Sequence, residues 1–219
     1  MSNRIVTTLN SRRGRLLLGL VFSGGIGLFA YKRRSLTKGG AVGAVATGTA
    51  IFGLGGGPSA LALIYFFVSS TLLSHFRGKE KASTAADKFS KGSQRDLAQV
   101  VANGGLAALC AAFAGTERSE ARQQTLQAGF VGALATATAD TWATEVGVLS
   151  PHQPRLLTTG QPVAPGTSGG ITPLGSTASA LGAFTLGLVL WATQGLRKTQ
   201  VRLPLLALFS GLSGSLCDS

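Results

Sequence analysis

Residues 125–149 form an apolar run, TLQAGFVGALATATADTWATEVGVL, whose acidic residues are Asp140 and Glu145. The run is long enough to cross a bilayer as a helix, which needs about 20 residues. A carboxylate at the centre of such a helix costs about 2.5–3.5 kcal/mol on insertion scales. Two carboxylates separated by threonines indicate a buried site for a cation, or for a phosphate with a cation bound to it.

The whole chain has the composition of a membrane protein. Hydrophobic residues make up 45% of the 219 residues and charged residues 13%, whereas soluble domains carry about 25% charged residues. The apolar residues lie in about seven blocks, separated by polar and charged segments: 15–31, 40–54, 58–75, 97–114, 125–149, 177–193 and 203–217. This layout predicts an all-α, polytopic integral membrane protein with no sheet, rather than a soluble helical bundle.

The net charge of +12 does not indicate a nucleic-acid partner. The basic residues lie between apolar blocks, where anionic lipid headgroups account for them, and no basic strip carries interleaved aromatic residues that would stack bases. Cys110 and Cys217 belong to no CxxC pair, and His75 and His152 are too far apart to indicate a zinc centre. Composition therefore predicts membrane lipids as partners and excludes these other classes.

Two long loops are expected on one face of the membrane. The loop at 76–96 is strongly basic, and the loop at 150–175 is rich in Gly, Pro, Thr and Ser. Because two predicted spans separate these loops, both should lie on the same face, and the last block should return residues 216–219 to it. The basic loop favours the cytoplasmic face. Asp140 and Glu145 lie near the end of their block that enters the second loop, so they belong to the same face.

A polar stripe is predicted at the start of the fourth block. Arg95, Gln99 and Asn103 are spaced i, i+4 and i+8, which places them on one side of a helix. Lys88 and Lys91 precede the stripe, and together these residues would hold an anionic headgroup in a pocket shared with Asp140. The alternative is an interhelical hydrogen-bond seam with an interfacial arginine.

The fifth block offers oxygen ligands for a cation. Thr136, Asp140 and Thr144 form one i, i+4 stripe, and Thr141 and Glu145 form the next. Carboxylates and hydroxyls suit Mg²⁺, which keeps waters and takes substrate phosphates as further ligands. The alternatives are a carboxylate paired with Arg95 or another basic residue, and a proton relay.

The second loop contains PGTSGGIT at 165–172, whose glycines let a backbone approach a phosphate. It lacks the Lys-Ser/Thr ending of a Walker A loop, and a Gly-rich loop by itself is usually a flexible linker. Beside two carboxylates and a basic loop, it becomes a candidate phosphate cradle. Its candidate binding residues are Gly166, Thr167, Ser168, Gly169, Gly170 and Thr172.

Six strings together resemble the transmembrane protein 19 family, long classed as a domain of unknown function. They are KGSQR (91–95), QVVANG (99–104), ADTWATEVG (139–147), PRLLTT (154–159), PGTSGGIT (165–172) and GSLCDS (214–219). The similarity runs in order from about residue 36 to the end. It divides the chain into a basic segment with the first membrane helix at 1–35 and a family-like membrane domain at 36–219.

The resemblance implies an activity, because the family includes phytyl-phosphate kinases of plants and cyanobacteria. It implies a nucleotide triphosphate, CTP or another, as co-substrate and Mg²⁺ as cofactor. Asp140 and Glu145, with Asp218, would hold the metal; Arg95 would act with them, and Arg155 would bind phosphate. Family members usually continue beyond the GSxxDS string with a Leu-Gly-Ala-type segment, so we expect a fragment or a natural truncation here. A role for Asp218 depends on that point.

Two functions follow from these residues. The first is a membrane phosphotransferase that converts a prenyl monophosphate, phytyl-like, with a nucleotide and Mg²⁺. The second is a transporter or channel that uses Asp140 and Glu145 as an intramembrane cation or proton site. The absence of an internal sequence repeat and the long loops on one face favour the enzyme. The sequence assigns no oligomeric state.

Overall fold

Helices form nearly all the regular structure of this protein. The computed structural model describes residues 11–84, 94–197 and 200–219. Its elements are α1 (Arg12–Lys32), α2 (Lys38–Ala50), a π-helical turn (Ile51–Gly55), α3 (Gly56–His75), α4 (Gly78–Thr84), α5 (Leu97–Ala114), α6 (Glu120–Gly147), β1 (Arg155–Leu156), β2 (Gly170–Ile171), α7 (Pro173–Thr193) and α8 (Leu203–Asp218). The predicted all-α class is confirmed.

Within the part of the chain that the structure describes, four helical stretches are long and apolar enough to cross a membrane. They are Arg12–Lys32, Lys38–His75, Leu97–Ala114 and Pro173–Thr193, and α8 is apolar but shorter. The 38-residue stretch combines two predicted blocks, because α2 and α3 follow each other through the π-helical turn. Helix α6 is not among the four, because its carboxylates, threonines and small residues lower its mean hydropathy. The protein is therefore an all-α membrane protein.

The chain divides into two compact units. The first comprises the described residues of Met1–Ile64 and Gln94–Ala133, and the second those of Tyr65–Ser93 and Leu134–Ser219. In the first unit, glycines let helices approach closely. A Cβ on Gly27 would lie 2.8 Å from a methyl of Val45, and one on Gly43 would lie 2.7 Å from a methyl of Leu97. Small residues at such contacts are typical of membrane helix packing.

A short backbone bridge fixes the start of α5. The amide of Arg95 donates to Ser35 O at 3.0 Å, and the amide of Thr37 donates to Arg95 O at 3.0 Å. Asp96 then caps α5, so Arg95 lies before the helix in extended backbone. The prediction that Arg95, Gln99 and Asn103 share one helical stripe is therefore wrong for Arg95, because the cap at Asp96 starts the helix after it.

In the second unit, α7 runs antiparallel to both α6 and α8. Gly182 of α7 packs on the ring of Trp142, where a Cβ would come within 2.9 Å of the indole. Nearer the start of α7, Gly175 packs against Ala143 O and Gly147 at the end of α6. On its other side, α7 packs against α8 through Gly187 and Pro204. As a result, the C-terminal ends of α6 and α8 lie at the same end of this unit, where α7 begins.

The Gly-rich loop has its own regular structure. Arg155–Leu156 pairs antiparallel with Gly170–Ile171, and the amide of Val163 donates to Pro154 O at 2.9 Å. Positive φ angles at Gly166 (87°) and Gly169 (81°) turn the chain back toward the first strand. The prediction of no sheet is therefore wrong in this small detail: backbone groups of the loop satisfy one another, which apolar block patterns do not reveal.

Candidate functional site

The end of α6 carries a buried ion pair. Nζ of Lys81 donates to Oε2 of Glu145 at 2.7 Å, and the two side chains are 1% and 12% exposed. The other carboxylate oxygen, Oε1, accepts from the hydroxyl of Ser74 at 2.6 Å. Both oxygens of Glu145 therefore accept hydrogen bonds from protein groups. This arrangement corresponds to the alternative in which the carboxylate pairs with a basic residue. Its role as a metal ligand stays a prediction that requires one of these bonds to exchange.

Lys81 is held from a second direction as well. Its ammonium donates to Leu73 O at 2.6 Å, in the last turn of α3. Leu73 O also accepts from the amide of Phe76 at 3.1 Å, and the C-terminal end of a helix carries partial negative charge, so it favours a cation. The ammonium therefore lies between a carboxylate and a helix C-terminus. Removing either charge of such a buried pair leaves the other one uncompensated.

Asp140 lies on another side of α6, partly buried. One helical turn earlier, the hydroxyl of Thr136 donates to Ser210 O at 3.3 Å, and Thr136 packs so closely on Gly214 that a Cβ there would collide with it. Asp140 follows Thr136 by one turn, and Asp218 follows Gly214 by one turn on α8. Residues four apart share a helix face, so Asp140 and Asp218 each extend the face that forms this contact.

The Gly-rich loop lies at the same end of the second unit. Thr172 is buried, and its hydroxyl accepts from the amide of Gly175 at 3.0 Å as the N-cap of α7. The same hydroxyl is 3.5 Å from Gly147 O, where α6 ends. A Cβ on Gly169 would lie 3.3 Å from Ser219 O. The loop, the end of α6 and the last residue of the chain therefore meet.

Several of the remaining loop residues are exposed. Arg155 is one of them, and its guanidinium Nη1 donates to Gly160 O at 2.9 Å. Gly166, Thr167 and Ser168 are exposed, and the hydroxyl of Thr167 donates to Ala164 O at 2.8 Å. Gly170 belongs to β2. The exposed side chains of Arg155, Thr167 and Ser168 are accessible to an anionic ligand from water, whereas Gly170 is half-buried and its amide donates to Thr167 O at 3.1 Å.

The other predicted site residues belong to the first unit or lie outside the described residues. Arg95, Gln99 and Asn103 belong to the first unit, and Oε1 of Gln99 accepts from the amide of Asp96 at 3.1 Å in a capping box. Gln99 is exposed, and the contact described for it caps the start of α5. Lys88 and Lys91 lie outside the described residues. A pocket that these residues share with Asp140 stays a prediction.

Sequence reasoning missed Lys81 and Ser74. Lys81 is one of several cations in the loop at 76–96, and nothing in its local sequence sets it apart from Lys79. Ser74 repeats Ser70 at a spacing of four on α3, which is a weak signal of a polar helix face. The partner 64 residues away along the chain becomes evident only from the fold.

The donor groups suit Mg²⁺ better than a transition metal. Within the described ranges, no three His, Cys, Asp or Glu residues form a cluster. Asp140 offers a carboxylate beside the hydroxyl stripe of α6, and Asp218 offers a second at the end of α8. Mg²⁺ is typically held by one or two carboxylates, with waters and substrate phosphates completing its shell. These oxygen groups fit that pattern.

Known proteins place the chain in a family. A profile described as Integral membrane protein DUF92 matches residues 21–219. Protein PGR of Arabidopsis thaliana is 34% identical over 224 aligned residues, which cover 94% of this chain and 77% of the plant protein. The uncharacterized membrane protein MJ0933 of Methanocaldococcus jannaschii is 31% identical, over 94% of this chain and 81% of its own length.

A shorter similarity and a negative result complete the comparison. The uncharacterized membrane protein sll0875 of Synechocystis is 35% identical over 128 residues, or 58% of this chain and 47% of that protein. No solved structure matches. The family resemblance seen in the six sequence strings is confirmed, as is the integral membrane location. From the profile match and the relatives similar along most of their length, the chain belongs to the DUF92 family of integral membrane proteins.

Proposed function

We propose that this protein is a membrane phosphotransferase that moves a phosphoryl group from a nucleotide to a prenyl monophosphate. One observation carries the proposal: the end of α6, the Gly-rich loop and Ser219, which follows α8, meet at one end of the second unit. Phosphoryl transfer needs positioning and charge neutralisation more than covalent help from the protein. Carboxylates, an exposed arginine and glycine-rich backbone supply those functions.

Each group has a chemical role in the proposal. Asp140, with Asp218, holds Mg²⁺, which when bound neutralises charge on the phosphates. Arg155 and the loop at 166–169, in which residues 166–168 are exposed, bind and orient the phosphate groups of the nucleotide. The acceptor is already an anion, so the site requires no strong general base. Glu145 serves as the counter-ion of Lys81.

The membrane setting suits a lipid acceptor. Apolar side chains of the helices are exposed along their length, including Leu181 on α7 and Phe209 on α8. In a bilayer these faces contact acyl chains, so a prenyl tail can remain in the hydrocarbon while its phosphate reaches the polar end of α6. A water-soluble nucleotide would then arrive from the loop side.

The test is an assay of purified protein in detergent. Prenyl monophosphates of several chain lengths are incubated with a panel of nucleotides, with and without Mg²⁺, and diphosphate formation is measured. Asp140→Asn is expected to lower turnover by about 10²-fold or more, whereas Glu120→Gln, at the exposed start of the same helix, should leave it unchanged. Turnover in folded Asp140→Asn equal to wild type would contradict the metal role. No turnover by the wild-type chain with any pair of substrates, together with cation flux in proteoliposomes, would replace the proposal with transport.

A further inference from the structure

The short helix α4 is attached to the rest of the second unit by the contacts of a single side chain. Its sequence is GKEKAST, and among its seven residues Lys81 is the buried one; Lys79, Glu80 and Ala82 are exposed. A helix of seven residues is not stable alone in water. Since α4 buries no large apolar side chain, the hydrophobic effect cannot hold it in place. Its position depends on the contacts of one ammonium group.

Those contacts are two charge-assisted hydrogen bonds. Lys81 Nζ donates to Glu145 Oε2 at 2.7 Å and to Leu73 O at 2.6 Å. Hydrogen bonds with an ionised partner are about twice as strong as neutral ones, and they are stronger still where water is excluded. The lysine therefore joins α4 both to the end of α3 and to the end of α6.

We propose that Lys81 is a positioning residue that tethers α4, and with it the start of the basic loop at 76–96, to the site end of α6. Its effect on catalysis rests on the proposed phosphotransferase function; the tether itself does not. Lys81 acts through Glu145, five residues beyond Asp140 on the same helix. With α4 in place, the exposed Lys79 of the same short helix is held near the end of α6, where its charge attracts anionic substrates. Without the contacts of Lys81, α4 leaves the end of α6 and is no longer held beside it.

The first experiment measures the tether without substrate. Full-length protein in detergent is treated with an amine-acylating reagent, and modification of Lys81 and Lys79 is quantified by mass spectrometry. Lys79 is the internal control, because it is exposed on the same short helix. In the wild type, Lys81 should react at least about tenfold more slowly than Lys79, since acylation needs local opening. In Glu145→Gln, the two rates should become similar, whereas Glu120→Gln should preserve the difference.

A charge swap covers the case in which Glu145→Gln does not fold. Lys81→Glu combined with Glu145→Lys should restore a protected lysine, now at position 145. Equal reactivity of Lys79 and Lys81 in the wild type would overturn the tether. Continued protection of Lys81 in folded Glu145→Gln, or full exposure of the lysine in a folded swapped protein, would do the same.

The second experiment tests the positioning role by kinetics. Lys81→Met should raise the KM for the anionic substrates about tenfold while kcat changes less than about twofold, because uniform binding is lost and the reacting groups remain. Lys81→Arg should retain most of the wild-type KM. A fall in kcat with KM unchanged would refute positioning. If no variant and no wild type turns over, the proposed function fails, while the acylation result still decides the tether.

Discussion

The carboxylates of Asp140 and Glu145, five residues apart on α6, have different surroundings. Glu145 accepts hydrogen bonds at both oxygens and faces a lysine that is almost completely buried. Asp140 extends the stripe of Thr136, which packs against α8. The two carboxylates therefore have separate tasks: Glu145 stabilises the junction with Lys81, and Asp140 lies on the helix face to which the proposed chemistry is assigned.

Substitutions at these residues should separate stability from activity. Glu145→Gln leaves the Lys81 charge buried without its counter-ion, which costs about 3–5 kcal/mol when a buried pair is broken. Asp140→Asn removes a charge that is itself costly in a membrane helix and keeps a hydrogen-bonding side chain of nearly the same shape, so its loss of stability should be smaller. In detergent, Glu145→Gln should therefore be less stable against unfolding than Asp140→Asn. In the transfer assay, Asp140→Asn should have the lower turnover. Equal effects on both measures would contradict the division of tasks.

At the scale of elements, helix ends and breaks depend on single backbone positions. The π-helical turn Ile51–Gly55 ends at Gly56, which has φ 81° and ψ −176°. This region of the backbone map is open essentially to glycine alone. The backbone at Gly56 thus breaks the helix between the π-helical turn and the rest of α3, within a stretch that hydropathy treats as continuous.

The neighbouring glycines offer a matched pair for testing this break. A Cβ at either Gly56 or Gly57 would meet no atom within 4 Å, and of the two only Gly56 has a positive φ. Gly56→Ala should therefore cost about 1–3 kcal/mol through backbone strain alone. Gly57→Ala should be neutral or stabilising by up to about 1 kcal/mol, as expected when glycine leaves a helix. Thermal unfolding in detergent measures both, and equal midpoints would refute the strained break.

The turn between α5 and α6 makes stability depend on pH. Oε1 of Glu117 accepts from the amides of Ser119 at 3.0 Å and Arg118 at 2.8 Å. These hydrogen bonds, with Ser119 first, and the nearby charge of Arg122 lower the pKa of the Glu117 carboxyl. Because the folded pKa lies below the unfolded one, the stabilisation is complete above the unfolded pKa and is lost as pH falls through the folded pKa.

Glu117→Gln should reveal this dependence. At neutral pH the variant should unfold at a lower temperature than the wild type. The difference should shrink as the pH is lowered below about 4, the ordinary carboxyl range, and vanish below the folded pKa. Thermal midpoints across a pH series provide the measurement. A difference that is independent of pH would show that the hydrogen-bonded carboxylate does not stabilise the turn.

At the scale of the whole molecule, two loops should open to the same side of the membrane. Helix α4 is attached to the end of α6 through Lys81, and the Gly-rich loop follows that end directly. The segment after α7 lies at the opposite end of the second unit, because α7 begins at the loop and runs away from it. The basic composition of the loop at 76–96 favours the cytoplasm for the shared side.

Cysteine labelling tests this arrangement. In a Cys110→Ser/Cys217→Ser background, Ser83→Cys and Thr158→Cys should react with an impermeant maleimide from the cytoplasmic side. Arg197→Cys should react from the other side; all three positions are exposed. Labelling of Ser83→Cys and Thr158→Cys from opposite sides would contradict the shared face. Labelling of both from outside would reverse the orientation.

The sequence by itself determined the helices and their approximate ends. The predicted blocks at 97–114 and 177–193 correspond to helices at Leu97–Ala114 and Pro173–Thr193, and the block at 125–149 lies largely within Glu120–Gly147. Hydropathy and capping residues act over a few neighbours, so they can be read from local sequence. The family resemblance was equally local, since it rests on short strings.

The tertiary structure alone decided how polar residues are used. Of several similar cations, Lys81 became the partner of Glu145, and the Gly-rich loop folded into a small ladder. The tertiary structure also paired the backbone of Arg95 with Ser35 and Thr37 of a distant segment. Burial and pairing depend on groups brought together from distant segments, 64 residues apart for the ion pair. No local pattern specifies such a partner, because the cost of burying a charge is set by whichever groups the packed helices place around it.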